Sequence, residues 1–237
     1  MPVPLHPDID NQSAEDGLSI ESFAPVPESI VVQAVIGPAE VALPSGFQWL
    51  HGLEQEFARS RPGRRRSEFV AGRRALRAAL RRVGWADDMP LLTGPRGQPA
   101  VPGGFTASLT HKDGLVIAIA APATAGRTLG IDCEVAGDRD RNTIAPKVLR
   151  ATELERWQAG GSLWPALLET FSTKEAIYKA LHPHVPRYIG FEEAEVLADG
   201  QIRLHLSHQE GPFALRRYLD WHVERLVVVV EARPLSR

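Results

Sequence analysis

Apolar positions along this chain follow two periods. Ser29 to Ile36 (Ser-Ile-Val-Val-Gln-Ala-Val-Ile) is a short β-branched run and predicts a buried strand. Phe105 to His111, Leu115 to Ala120, Leu129 to Glu134 and Leu226 to Glu231 predict further strands, the last fully buried. Lys112-Asp113-Gly114 is a turn signal between the Phe105 to His111 and Leu115 to Ala120 strands. Ala194 to Leu197, an Asp199-Gly200 turn and Ile202 to Leu206 predict a hairpin. Elsewhere the period is helical. Phe69, Gly72, Leu76, Ala79, Leu80 and Val83 mark one inward face, and a shorter helix is expected around Trp49 to Phe57. Trp164, Leu168, Phe171, Tyr178 and Leu181 mark another stripe, with Ser162 as the expected N-cap and Pro165 in the first turn. Two strand-helix-strand groups, before and after about residue 125, predict two halves of similar size. Residues 1–28 are rich in Pro, Asp, Glu and Ser without periodicity, and predict a flexible N-terminal extension.

Composition narrows the class. The length of 237 residues suits one large domain or two small ones, and 43% apolar with 24% charged residues is ordinary for a soluble globular protein. A net charge of −2 gives no global attraction to nucleic acid or anionic membrane. The single cysteine excludes an internal disulfide framework. No apolar run approaches the roughly 18 residues of a membrane span, and the N-terminus lacks the order of a signal peptide. A cytoplasmic location is the expectation.

Charge patterning points to chemistry. In Leu129-Gly130-Ile131-Asp132-Cys133-Glu134 the two acids share one strand face, about 7 Å apart at Cα, while Ile131 and Cys133 face away. Like charges so close repel unless something positive lies between them. A hard divalent cation such as Mg²⁺ meets that need, and a strand end whose acids face water is the alternative. Between Arg59 and Arg82 there are ten arginines and one acid, Glu68. Arg65, Arg66, Arg73, Arg77 and Arg81 are expected largely off the apolar stripe. This is either a solvated basic face or an anion site, and the guanidinium fork suits phosphate. Few aromatics interleave to stack bases, so a phosphorylated small molecule is favoured over nucleic acid. Glu175 lies within the apolar stripe of its helix, with Lys179 at i+4. A carboxylate on a buried face requires a cation or donors.

These segments together resemble the 4′-phosphopantetheinyl transferases of the surfactin-synthetase and enterobactin-synthetase type. Gly97-Gln98-Pro99 with Ser108-Leu109-Thr110-His111 resembles the family's first motif, a Gly-x-Pro turn followed by Ser-x-x-His. Gly130-Ile131-Asp132-Cys133-Glu134 resembles the second, and Phe171 to Ala180, with its Lys-Glu-Ala-x-x-Lys-Ala core, the third. Arg65-Arg66-Ser67-Glu68-Phe69 and Gly72-Arg73 match the basic helix preceding them, and the likeness covers roughly residues 29 to 232.

The resemblance implies an α+β fold of two pseudo-symmetric halves, residues 29–125 and 126–237, with the active site in the cleft between them. It implies transfer of 4′-phosphopantetheine from coenzyme A to a serine of an apo acyl or peptidyl carrier protein. Asp132, Glu134 and Glu175 would bind Mg²⁺ (or Mn²⁺), Asp132 thereby also contacting the coenzyme. Glu175 would be the general base, and Lys179 would stabilise phosphate charge. Arg65, Arg73 and His111 would hold the coenzyme's phosphates, including the 3′-phosphate, and Ser108 would be a further coenzyme-binding residue. Arg96 is a further candidate, since Thr93 stands near where many relatives carry a lysine. A monomer is implied, with no nucleic acid or membrane partner. The rivals are a Mg²⁺-dependent nucleotide phosphohydrolase using the same three acids and a nucleic-acid-binding module using the arginine helix. The carrier itself, whether of siderophore, polyketide, nonribosomal peptide or fatty acid synthesis, is not legible.

Overall fold

The computed structural model describes residues 18–20, 26–36, 44, 46–137 and 141–236. The chain divides into two compact units, Met1–Pro122 and Ala123–Arg237.

The first unit is an antiparallel sheet carrying one long helix. Its strands β1 (Leu18–Ile20), β2 (Ile30–Val35), β3 (Phe105–Lys112) and β4 (Leu115–Pro122) lie in the order β1-β2-β4-β3. Most of the N-terminal extension expected for residues 1–28 lies outside the described residues. Within it, Leu18–Ile20 pair with β2 and Val26 is buried. The β3–β4 hairpin turns on Asp113 and Gly114, both at positive φ (44° and 80°), as a two-residue loop matching strand twist requires. Helices α1 (Gly52–Arg59) and α2 (Gly63–Arg82) follow β2. The expected helix at Trp49–Phe57 is thus a 3₁₀ turn at Phe47–Trp49 and then α1, which His51 and Glu54 cap reciprocally. Helix α2 packs on the sheet through Ala71, Ala75, Leu76, Ala79 and Leu80 against Val32, Ala34, Val116, Ala118 and Ala120.

The second unit has two antiparallel sheets of its own. β5 (Thr128–Val135), β8 (Phe213–His222) and β9 (Arg225–Pro234) form an antiparallel sheet in the order β5-β9-β8, and β6 (Ala194–Val196) pairs with β7 (Ile202–Leu204). Helices α3 (Arg141–Val148), α4 (Ala151–Ala159) and α5 (Trp164–Leu181) lie between β5 and β6. Leu226, Val228, Val230 and Ala232 of β9 pack with Leu168, Ala176, Ile177 and Ala180 of α5 in the core of this unit. Ser162 does not cap α5, whose N-cap is Leu163. Ser162 instead ends α4, at φ 55° with its N–H on Trp157 O, because Gly160-Gly161-Ser162 is the exit from the preceding helix. Helices α3 and α4 and strand β8 are not anticipated from the sequence. Pro146 inside α3 and the mixed polar pattern of β8 weaken their periodic signals.

Candidate active site

Strand β5 and helix α5 meet at a glycine. A Cβ on Gly130 would lie 1.9 Å from Ala176 O and 2.6 Å from Ala180 N, so only glycine permits this approach. The Gly-Ile-Asp-x-Glu strand and the Lys-Glu-Ala-x-x-Lys-Ala helix are therefore two sides of one contact: Gly130 against Ala176 and Ala180. Because strand side chains alternate, Asp132 and Glu134 share the Gly130 face and project toward α5. Cys133 is buried on the opposite face, within reach of Arg225 Nη1 at 3.6 Å.

Asp132 is held at both oxygens. Lys179 Nζ donates to Oδ1 at 2.8 Å and to Ile131 O at 2.9 Å, and Ser172 Oγ donates to Oδ2 at 2.8 Å. Lys179 thus pairs across to β5, in keeping with the place of Glu175 on the apolar stripe, which argues against a surface i,i+4 salt bridge along the helix. Glu175 is half-buried beside this group. Burial, and then the charges of Asp132 and Glu134, push its carboxyl above the ordinary value, while Lys179 opposes them. Ser172 was missed from the sequence. Its signal is spacing, since residues 172, 175 and 179 fall on adjacent positions of one helix face.

The donor set here is oxygen only, the chemistry of a hard divalent cation. Among the described residues, no group of three or more His, Cys, Asp or Glu is set to hold a metal ion as placed. The positive charge against Asp132 comes from the Lys179 ammonium.

In the first unit the arginines of α2 are not the exposed band that the stripe predicts. Arg73, Arg74 and Arg77 are buried, and exposure is confined to the ends of the helix, with Arg64 and Arg65 in the first turn and Arg81 in the last. Nor do they lack acidic partners. Arg77 bonds to Glu54 of α1 at 2.8 Å and to Asp88 at 2.9 Å, and Glu54, fully buried, also accepts Leu91 N–H at 2.6 Å. Counting charge within residues 59–82 misses partners contributed from outside it. Arg73 lies over the Phe69 ring at 4.5 Å and donates to Thr93 Oγ1 at 2.8 Å and Leu92 O at 3.3 Å. Burial lowers it to about 10. It therefore grips the start of the Thr93–Pro99 turn, which closes by a Thr93–Pro99 bridge and a Gly94 N–H to Gln98 O bond. Arg96 is exposed at that turn, its backbone N–H on Gln98 Oε1 at 3.0 Å.

Ser108 and His111 are separated by strand alternation. Ser108 is buried with Thr106 and Thr110 on one sheet face. His111 is exposed at the end of β3, on the face of Leu109 that packs toward α2 near Gly72.

Comparison with known proteins gives these features a family. Residues 53–121 match the 4′-phosphopantetheinyl transferase N-terminal domain, and residues 128–230 match the 4′-phosphopantetheinyl transferase superfamily. The chain is 35% identical over 180 residues to the 4′-phosphopantetheinyl transferase PptT of Mycobacterium tuberculosis, covering 70% of this chain and 78% of that protein. It is 38% identical over 142 residues to the 4′-phosphopantetheinyl transferase Svp of Streptomyces mobaraensis, covering 57% and 56% of the two chains. Enterobactin synthase component D of Salmonella typhi is 32% identical over 152 residues, 62% of each chain. The second match contains both the acid-bearing strand and the helix that lies on it, and together these findings establish that the chain belongs to the 4′-phosphopantetheinyl transferase superfamily.

Proposed function

We propose that this protein transfers 4′-phosphopantetheine from coenzyme A to a serine hydroxyl of an apo carrier protein, with adenosine 3′,5′-bisphosphate leaving. The observation that carries the mechanism is the convergence of Asp132, Glu134, Glu175 and Lys179 across the β5–α5 contact. The serine oxygen attacks the phosphorus bearing pantetheine, its proton passes to Glu175, and the pyrophosphate P–O bond breaks. No nucleophile of the enzyme is required, so the site's tasks are positioning, charge neutralisation and proton removal.

Asp132, Glu134 and Glu175 would hold a divalent cation, Mg²⁺ or Mn²⁺, which supplies charge neutralisation at the pyrophosphate. Ser172 keeps Asp132 oriented. Lys179 is one-quarter exposed (25%) and can turn from Asp132 to a phosphate oxygen as charge develops there. Arg65, Arg96 and His111, all exposed, are proposed to meet the coenzyme's phosphates directly. Arg73 and Ser108 are buried and would act from behind, Arg73 by holding Thr93. The family resemblance favours two pseudo-symmetric halves with the coenzyme between them, and a cytoplasmic monomer. No described helix is long and apolar enough to cross a membrane. The enterobactin relatives make siderophore carriers the first class to test, before polyketide, nonribosomal peptide and fatty acid carriers.

The test is incubation with coenzyme A, Mg²⁺ and a panel of apo carriers, followed by intact-protein mass measurement. A carrier gaining one phosphopantetheine is the expected result. Unmodified carriers together with phosphate released from nucleotides would instead assign the three acids to a phosphohydrolase.

A further inference from the structure

We propose that Lys174, through its buried partner Glu153, is a positioning residue for Glu175, and that neither Lys174 nor Glu153 touches substrate. The inference rests on the transferase reading above for what Glu175 does, and on geometry for the rest. Lys174 stands directly before Glu175 in the Lys-Glu-Ala segment, where a lysine invites assignment to a substrate phosphate. Its ammonium is already fully committed. Nζ donates to Glu153 Oε2 at 2.6 Å, Val148 O at 2.8 Å and Phe191 O at 2.9 Å, which uses all three of its protons. Both side chains of the pair are 1% exposed.

Glu153 extends the same knot. Its Oε2 also accepts Arg150 N–H at 2.7 Å and its Oε1 accepts Val196 N–H at 2.7 Å. One buried ion pair therefore joins the end of α3, the first turn of α4, α5, the 3₁₀ turn at Phe191–Glu193 and strand β6. A pair so thoroughly desolvated adds little net stability relative to an apolar pair of similar volume, so what it supplies is geometric definition.

What it defines is the rotation of α5. Successive helical residues differ by about 100° around the axis, so Lys174 points into the α3–α4 side while Glu175 faces the acids of β5. Ala176 and Ala180 fix a third direction by resting on Gly130. A carboxylate about 6 Å from the helix axis moves about 1 Å for a 10° turn, enough to cost a large part of a positioned proton transfer.

The experiment is a double-mutant cycle with Glu153→Gln, Lys174→Met and the double variant, reading thermal midpoint, kcat and the KM for coenzyme A in each. Glu153→Gln keeps size and acceptor oxygen and tests the pair even if Lys174→Met fails to fold. The positioning role predicts kcat lowered about 10-fold in Glu153→Gln, KM within about twofold of wild type, and a double variant no slower than the worse single one. It also predicts a thermal midpoint about 10 °C lower in Lys174→Met, which leaves Glu153 buried and unpaired. Unchanged kcat in Glu153→Gln with a lowered midpoint would overturn the proposal in favour of a purely structural pair. A raised KM, or losses that multiply in the double variant, would overturn it in favour of a substrate contact. Absence of transfer by the wild-type protein would refute the transferase reading instead, so the two failures are distinguishable.

Discussion

Three carboxylates and one ammonium converge at this site, and the two roles proposed for Glu175 separate in a single substitution. Glu175→Gln is expected to lower kcat by about 10²-fold or more at saturating Mg²⁺, because an amide cannot take the serine proton. Recovery at high Mg²⁺ or Mn²⁺ would make Glu175 a metal ligand only. The same variant is expected to melt higher at neutral pH than the wild type, since it removes a half-buried charge repelled by Asp132 and Glu134. On the other unit, Arg65→Ala and His111→Ala are expected to weaken binding of coenzyme A more than of dephospho-coenzyme A, read by calorimetry. Equal losses for both ligands would detach them from the 3′-phosphate. Arg73→Ala carries a different signature. It loses packing over Phe69 and the bonds to Thr93 and Leu92, so a stability loss of about 1–3 kcal/mol by denaturant unfolding is expected. The acidic pair and Glu175 were legible as residues because charge on an otherwise apolar strand or stripe is conspicuous. Ser172 and Glu153 were not, because a serine and a glutamate at ordinary helix positions show their role only when the partner is known.

At the scale of elements, the contact of α5 with β5 is the one the site depends on. Gly130→Ala would drive a methyl into the carbonyl of Ala176, backbone that cannot step aside. Loss of more than about 3 kcal/mol of stability is expected, with transfer abolished in any folded fraction, checked by chemical denaturation and by carrier mass. A second element-level device lies after α5. Arg187 bonds to both Glu193 and Glu210, tying the loop beyond the helix to the segment before β8. The Arg187 guanidinium, helped by Ser207, holds the Glu210 carboxyl down at about 2, against an ordinary 4.5. A carboxyl depressed in the folded state contributes stability above its unfolded value, and that stability is lost as pH falls through the folded one. Thermal midpoints should therefore drop between about pH 4.5 and about pH 2, and drop less in Glu210→Gln. The main strands and the two long helices were readable from their periods, whereas β1 and β8 were not. The buried arginines of α2 were not, because periodicity reports which positions are apolar and is silent on charges neutralised from elsewhere, as Arg77 is by Glu54 and Asp88.

At the scale of the whole molecule, the proposed metal and the fold are expected to separate cleanly. Chelation of divalent cations should abolish carrier modification and leave the far-ultraviolet spectrum unchanged, because Lys179 and Ser172 satisfy Asp132 from within the protein. Restored Mg²⁺ should return activity. Collapse of structure on chelation would mean that the cation holds β5 to α5. The sequence by itself determined the main strands and long helices, the ordered set of family motifs, and the acids on one face of β5, since period and local spacing are properties of the chain alone. Only tertiary structure decided that Lys179 bonds to Asp132, that Ser172 joins it there, and that Arg73 and Lys174 are buried holders of loops and helices. Each of those depends on a partner distant in the sequence, brought there by packing.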